Sequence, residues 1–176
     1  MRSYITLITL LIISTASASA SQPIFEHARY HNEQSDTAQI TKILNSVSAM
    51  HRASQGDIVA ECAKAFVGTP YADNTLEGTP EMLTINTDQL DDVTLVQNAV
   101  ALALAIDENR CSWPDFIYNL KRIRYRGGLV EGYTSRLLYI ADWAVDNIHR
   151  GILKNATYDF PRYASANRSL DYMSKH

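Results

Sequence analysis

Hydrophobic residues recur at helical spacing along most of this chain, and strand-like alternation is almost absent. The first such pattern follows Ser35 and Asp36, two residues that favour a helix N-terminus, and the second extends from about Ser54 to Gly68. The apolar character is strongest in residues 90–106, where the second half of the segment is continuously apolar. A helix that is apolar on every side must be surrounded by protein, so this segment is predicted to be the central helix.

Two further helices are predicted in the C-terminal part of the chain. One leads up to Gly127, and the other extends from near Ser135 to Gly151. Residues 70–87 are rich in glycine, proline, asparagine, aspartate and threonine, which predicts a loop with one short extended piece at residues 82–85. The pattern therefore predicts a mainly α fold, and 176 residues are enough for one domain with a core.

The first 20 residues have the composition of a secretory signal. Arg2 precedes an apolar run from Ile5 to Ile13, which is too short to span a bilayer and gives way to small residues. Residues 21–34 are polar and aperiodic and are predicted to form an arm, so the single domain is assigned to residues 35–176. We therefore expect an exported protein, periplasmic or secreted, with no membrane contact after signal removal.

The charge distribution argues against polyanionic partners. The net charge is −3, and acidic and basic residues are interspersed, so neither nucleic acid nor anionic lipid is an expected partner. Residues 121–126 are the one basic concentration, which we interpret as a solvated helix end. The sequence has no zinc-ligand spacing, phosphate-binding glycine loop or nucleophilic serine motif, so no cofactor and no metal are expected.

Cys62 and Cys111 are the only cysteines of the chain. Export would place them in an oxidising compartment, where one disulfide can form between them. The alternative is that Cys62, on the apolar face of the second predicted helix, is a buried free thiol that packs as a small apolar residue. The sequence leaves both alternatives open because it does not give the distance between the two Cα atoms.

Six short motifs follow one another along the chain between residues 68 and 143. They are Gly68–Tyr71, Thr75–Glu77, Asp91–Asp92, Ile123–Arg126, Ser135–Tyr139 and Asp142–Trp143. This order resembles that of the NlpC-type (papain-like) cell-wall hydrolases, in their periplasmic N-acetylmuramoyl-L-alanine amidase-like branch. The resemblance implies the helical N-terminal half of an α+β papain-like fold, with the strand-rich half that supplies the catalytic histidine largely absent.

The chain departs from this family pattern where the chemistry is expected. Asp92 stands at the position of the nucleophilic cysteine, Leu138 at that of a family histidine, and Gln97 where the helix usually carries glutamate. A cysteine at a helix N-terminus is activated because the dipole and the free N–H groups stabilise its thiolate. An aspartate there stabilises the helix but is a poor nucleophile toward an amide. No intact catalytic residue is therefore expected.

The resemblance implies a peptidoglycan amidase-like cysteine hydrolase that is inactive as written and at most binds muropeptides. The ligand-binding residues that it implies are Tyr71, Asp91, Asp92, Arg136 and Tyr139. Two alternatives stay open: a non-enzymatic helical periplasmic interaction or inhibitor protein, and the truncated half of a split enzyme that a second chain completes. The expected partners are accordingly peptidoglycan fragments or a periplasmic protein.

Overall fold

The computed structural model describes residues 28–156, so the predicted signal and the first half of the predicted arm lie outside the described residues. Five α-helices and two short strands make up this part of the chain. They are β1 (Ala28–Tyr30), α1 (Glu33–Val47), α2 (Gln55–Lys64), β2 (Leu83–Ile85), α3 (Asp92–Asp107), α4 (Trp113–Arg124) and α5 (Ile140–His149). The prediction of a mainly helical fold is confirmed. None of these described helices is long and apolar enough to cross a membrane.

Helix α3 forms the centre of the domain and packs mainly against α2 and α4. Ala101, Leu102, Ala105 and Ile106 are completely buried. The short alanine side chains let the neighbouring helices approach, and each large apolar side chain buried in such a core contributes about 1.5–3 kcal/mol. The continuous apolar run of the sequence thus marks the central helix, as predicted.

The two strands form a small parallel sheet in which Ala28 lies opposite Leu83 and Tyr30 opposite Ile85. The predicted polar arm, residues 21–34, is therefore wrong for its last residues, which form β1 and the start of α1. Local composition does not reveal this pairing, because the partner strand lies far along the chain.

Helix α1 begins at Glu33, two residues before the predicted start at Ser35. Asn32 is the N-cap, and its side chain accepts a hydrogen bond from the backbone N–H of Ser35 at 3.2 Å. Asp36 is buried and accepts hydrogen bonds from the N–H of Thr87 at 2.8 Å and from the Thr87 hydroxyl at 2.7 Å. Asp36 therefore joins α1 to the segment that leads into α3.

The last helix begins later than predicted, at Ile140 and not near Ser135. Residues 133–135 form a 3-10 turn, and Arg136 then pairs with Tyr125 in an antiparallel bridge. The N–H of Leu137 donates to the carbonyl of Arg124 at 2.9 Å. This backbone pairing keeps the chain extended before α5 and brings Arg136 next to the end of α4.

Cys62 is buried in α2, Cys111 is half-buried just before α4, and both are free thiols. Burial raises the pKa of Cys62 to about 12. Because the thiolate is the reactive form, Cys62 is inert at neutral pH. In this structure Cys62 thus packs as a small apolar side chain.

Candidate ligand-binding site

A cavity of about 130 Å³ lies at the N-terminus of α3. Its walls come from the loop before β2, the first turns of α3, the end of α4 and the segment before α5. The lining residues are Asn74, Thr75, Leu76, Glu77, Asp91, Val93, Thr94, Gln97, Arg124, Arg136, Leu137 and Leu138. The cavity therefore joins segments that the sequence holds far apart.

Asp91 is the N-cap of α3 and forms a capping box with Thr94. One carboxylate oxygen of Asp91 accepts from the N–H of Thr94 at 2.6 Å and from its hydroxyl at 2.7 Å. In return, the N–H of Asp91 donates to the Thr94 hydroxyl oxygen at 2.8 Å. This arrangement satisfies N–H groups that have no partner within the helix, so it fixes where α3 begins.

Asp92 is the first residue of α3, and its side chain is exposed and does not line the cavity. Neighbouring side chains on a helix point about 100° apart, so Asp91 and Asp92 do not face one another. The pair therefore does not form a carboxylate dyad of the kind that shares a proton.

Arg136 is a buried wall of the cavity, with 1% of its side chain exposed. One Nη donates to the carbonyl of Leu76 at 2.8 Å, and the other pairs with Glu77 at 2.7 Å. The Nε of Arg136 lies 3.5 Å from a carboxylate oxygen of Glu81, and the guanidinium lies 5.0 Å from the centre of the Tyr133 ring. Arg136 thus holds the loop before β2 against the rest of the site.

Arg124 also lines the cavity, and it was not predicted as a site residue. Its side chain is buried, with Nε donating to Oε1 of Gln97 at 2.7 Å and one Nη donating to the carbonyl of Thr84. Burial lowers the pKa of Arg124 to about 10, so the guanidinium is charged at neutral pH.

The interpretation of residues 121–126 as a solvated helix end is wrong for Arg124. This residue follows Leu120 by one helical turn, on the face of α4 that also carries the buried Ile117. The sequence did carry a signal for the burial of Arg124, namely a basic residue at a position on the apolar face of a helix.

The two tyrosines proposed as ligand contacts lie outside the cavity lining. Tyr71 has 73% of its surface exposed, and its backbone pairs with that of Leu90, directly before α3. Tyr139 is 56% exposed and stands at the start of α5. Leu138, at the family histidine position, lines the cavity.

The structure thus brings Asp91, Arg136 and Leu138 into one cavity and leaves Asp92, Tyr71 and Tyr139 outside its lining. No cysteine or histidine is among the lining residues of the described chain. Within residues 28–156, histidine, cysteine, aspartate and glutamate side chains form no group of three that could hold a metal ion.

Comparison with known proteins assigns this chain to a family. Residues 61–175 match the AmiA-like family model, described as N-acetylmuramoyl-L-alanine amidase-like. An N-acetylmuramoyl-L-alanine amidase from Bacteroides uniformis ATCC 8492 is 37% identical in sequence, with a TM-score of 0.63 over 69% of this chain and 51% of the amidase. A Legionella pneumophila protein matching the family model DUF1460 is 26% identical, with a TM-score of 0.59 over 72% of this chain and 42% of that protein.

The chain spans about half the length of these two solved structures. No curated protein sequence matches it significantly. The family match covers most of the described domain, from the end of α2 onward, and includes every segment that lines the cavity. The chain therefore belongs to the AmiA-like, N-acetylmuramoyl-L-alanine amidase-like family.

Proposed function

We propose that this protein binds muropeptides, the amide-linked sugar and peptide fragments of peptidoglycan, and does not hydrolyse them. The observation that carries the proposal is the position of Asp92 as the first residue of α3. A cysteine at this position would have the setting that activates a thiol, namely a helix N-terminus beside a cavity. Here a carboxylate occupies that place.

The chemistry of the substitution supports binding without hydrolysis. A carboxylate is a weaker nucleophile than a thiolate, an amide is a poor electrophile, and the departing amine must be protonated by a general acid. No histidine lines the cavity within the described residues. The amidase-like family supplies the ligand class, since fragments of peptidoglycan carry the amide bond for which the family is named.

The proposal assigns the ligand to a surface that extends beyond the cavity. In this proposal Asp91 and Arg136, which line the cavity, form the inner end of this surface, and the exposed Asp92 next to Asp91 in the chain forms its rim. In this proposal a sugar ring stacks on the exposed rings of Tyr71, whose backbone pairs with that of Leu90 before α3, and of Tyr139, which follows the lining residue Leu138. In this scheme the described helices are the helical half of a papain-like, NlpC-type scaffold, and the protein acts in the periplasm or outside the cell.

The proposal is tested with purified protein and a digest of peptidoglycan. We expect calorimetry to detect binding of muropeptides and mass spectrometry to find them intact after prolonged incubation. Asp92→Asn removes the charge at the rim with little change in size and is expected to alter affinity without changing the absence of cleavage. Release of stem peptides by the wild-type protein would show that the assignment of a non-hydrolytic function is incorrect.

A further inference from the structure

Two buried arginine side chains, Arg124 and Arg136, line the cavity. They differ in which groups balance their charges. Arg136 pairs with Glu77 and Glu81. Arg124 instead donates to the side-chain amide oxygen of Gln97 and to the backbone carbonyl of Thr84. Among the described residues, no carboxylate forms an ion pair with Arg124 within 4.0 Å.

The charge of Arg124 is therefore buried and only partly compensated. Asp91 and Glu81 act on it from a greater distance, and the positive charge of Arg136 opposes it. A buried charge without a partner of opposite sign is costly, and an anion brought into contact with it recovers part of that cost. Arg124 lines the cavity, so an anion inside the cavity would lie close to the charge of its guanidinium group.

One further donor in the cavity wall has no acceptor among the described residues. The hydroxyl of Thr75 is buried and has no hydrogen-bond partner, whereas the Nε of Arg136, which also makes no hydrogen bond, lies 3.5 Å from the carboxylate of Glu81. Buried donors are almost always satisfied in folded proteins, so the Thr75 hydroxyl indicates a ligand that accepts a hydrogen bond. A carboxylate, which only accepts, matches this requirement.

The size of the cavity limits what can occupy it. Its volume of about 130 Å³ accommodates a carboxylate with one or two carbon atoms. Asp91 also forms part of the wall, so a singly charged group is favoured over a phosphate dianion.

We propose that the cavity binds a free carboxylate of the ligand, with Arg124 supplying the charge and the hydroxyl of Thr75 donating a hydrogen bond. This inference rests on the proposed function and makes it more specific. The preferred muropeptides are those whose peptide retains a free α-carboxylate near the sugar, and those in which that group is amidated are disfavoured.

Gln97 is the residue that keeps the charge of Arg124 available. Its Oε1 accepts from the Nε of Arg124 at 2.7 Å, a bond that a glutamate of the same shape would also make. The variant Gln97→Glu would place a carboxylate against Arg124 and remove the demand for an external anion. Gln34→Glu makes the same chemical change on an exposed side chain of α1, outside the cavity, and is the matched control.

Two probes that differ by one group test the inference. They are a synthetic muramyl dipeptide with a free α-carboxylate on its second amino acid and the same compound with that group as a primary amide. We expect the wild-type protein and Gln34→Glu to bind the acid at least about tenfold more tightly than the amide, as for one charge-assisted hydrogen-bonded contact. Gln97→Glu is expected to lose this preference while still binding the amide. Equal affinities for the wild type, or an unchanged preference in Gln97→Glu, would overturn the inference alone.

A smaller probe separates this inference from the proposed function. We expect propionate, but not propionamide, to protect the wild-type protein against thermal unfolding, and we expect Gln97→Glu to lose that protection. Protection by propionate without any binding of muropeptides would refute the proposed function and retain the carboxylate site. If neither propionate nor the dipeptides bind, both proposals are wrong.

Discussion

Replacement of Arg136 by methionine tests the role of this residue as the anchor of the site. The change removes the pairs with Glu77 and Glu81 and the hydrogen bond to the carbonyl of Leu76, while it keeps most of the side-chain volume. Glu81, with 4% of its side chain exposed, would remain buried, and within residues 28–156 it would keep only its hydrogen bond from the hydroxyl of Tyr125. Removal of one partner of a buried ion pair typically costs about 3–5 kcal/mol.

We expect a loss near the lower end of that range for Arg136→Met, about 3 kcal/mol, because Tyr125 still donates to Glu81. Urea unfolding, followed by the fluorescence of Trp113 and Trp143, measures the loss. With a denaturant dependence of about 1–3 kcal/mol per molar urea, the midpoint should fall by roughly 1–3 M.

Two comparison variants separate the buried pair from the exposed one. Glu77 is 47% exposed on its side chain, so Glu77→Ala should cost no more than about 1 kcal/mol. Glu81→Gln combined with Arg136→Met should destabilise less than the sum of the two single changes, because no buried carboxylate is left. The reasoning is refuted if Arg136→Met costs less than Glu77→Ala, or if the two changes in the double variant are simply additive.

Two other predictions concern the helix N-terminus and the buried thiol. Asp91→Ala should cost about 1–2 kcal/mol and should be strongly non-additive with Thr94→Ala, since both remove the same capping box; chemical denaturation of the double-mutant cycle measures this coupling, and additive losses would contradict it. The pKa of Cys62 is about 12 in the folded protein, above its ordinary value near 9.0, so the unfolded chain ionises first. Stability should therefore fall as pH rises above 9, by about 3 kcal/mol at pH 11 from this group. Cys62→Ala should show a correspondingly weaker loss in urea titrations at pH 8 and 11, and an unchanged pH dependence would exclude this thiol as a cause.

The helices could be predicted because their apolar positions report burial directly. Residues 99–106 are apolar on every side, and this segment is the buried centre of the fold. Strand β1 could not be predicted, because three residues carry too little pattern and their pairing with β2 depends on contacts between distant parts of the chain. The late start of α5 has a similar cause, since the bridge between Tyr125 and Arg136 overrides the local preference for helix.

The candidate site was partly visible in the sequence. The motifs around Asp91 and Arg136 indicated two walls of the cavity, because each motif includes a residue that lines it. Arg124 was missed because its basic neighbours Lys121, Arg122 and Arg126 are all at least partly exposed, although its spacing places it on the apolar face of α4. The contact between Arg124 and Gln97 joins two helices, so only the folded structure reveals it.

Native mass spectrometry of the purified protein with a muropeptide tests the central claim most directly, because one spectrum reports both binding and cleavage. Our account predicts a complex that contains the ligand at its full mass and persists over many hours, with no free stem peptide. The appearance of the stem peptide and the sugar as separate products would contradict the account, because it would mean that this chain hydrolyses the amide bond without a cysteine at position 92.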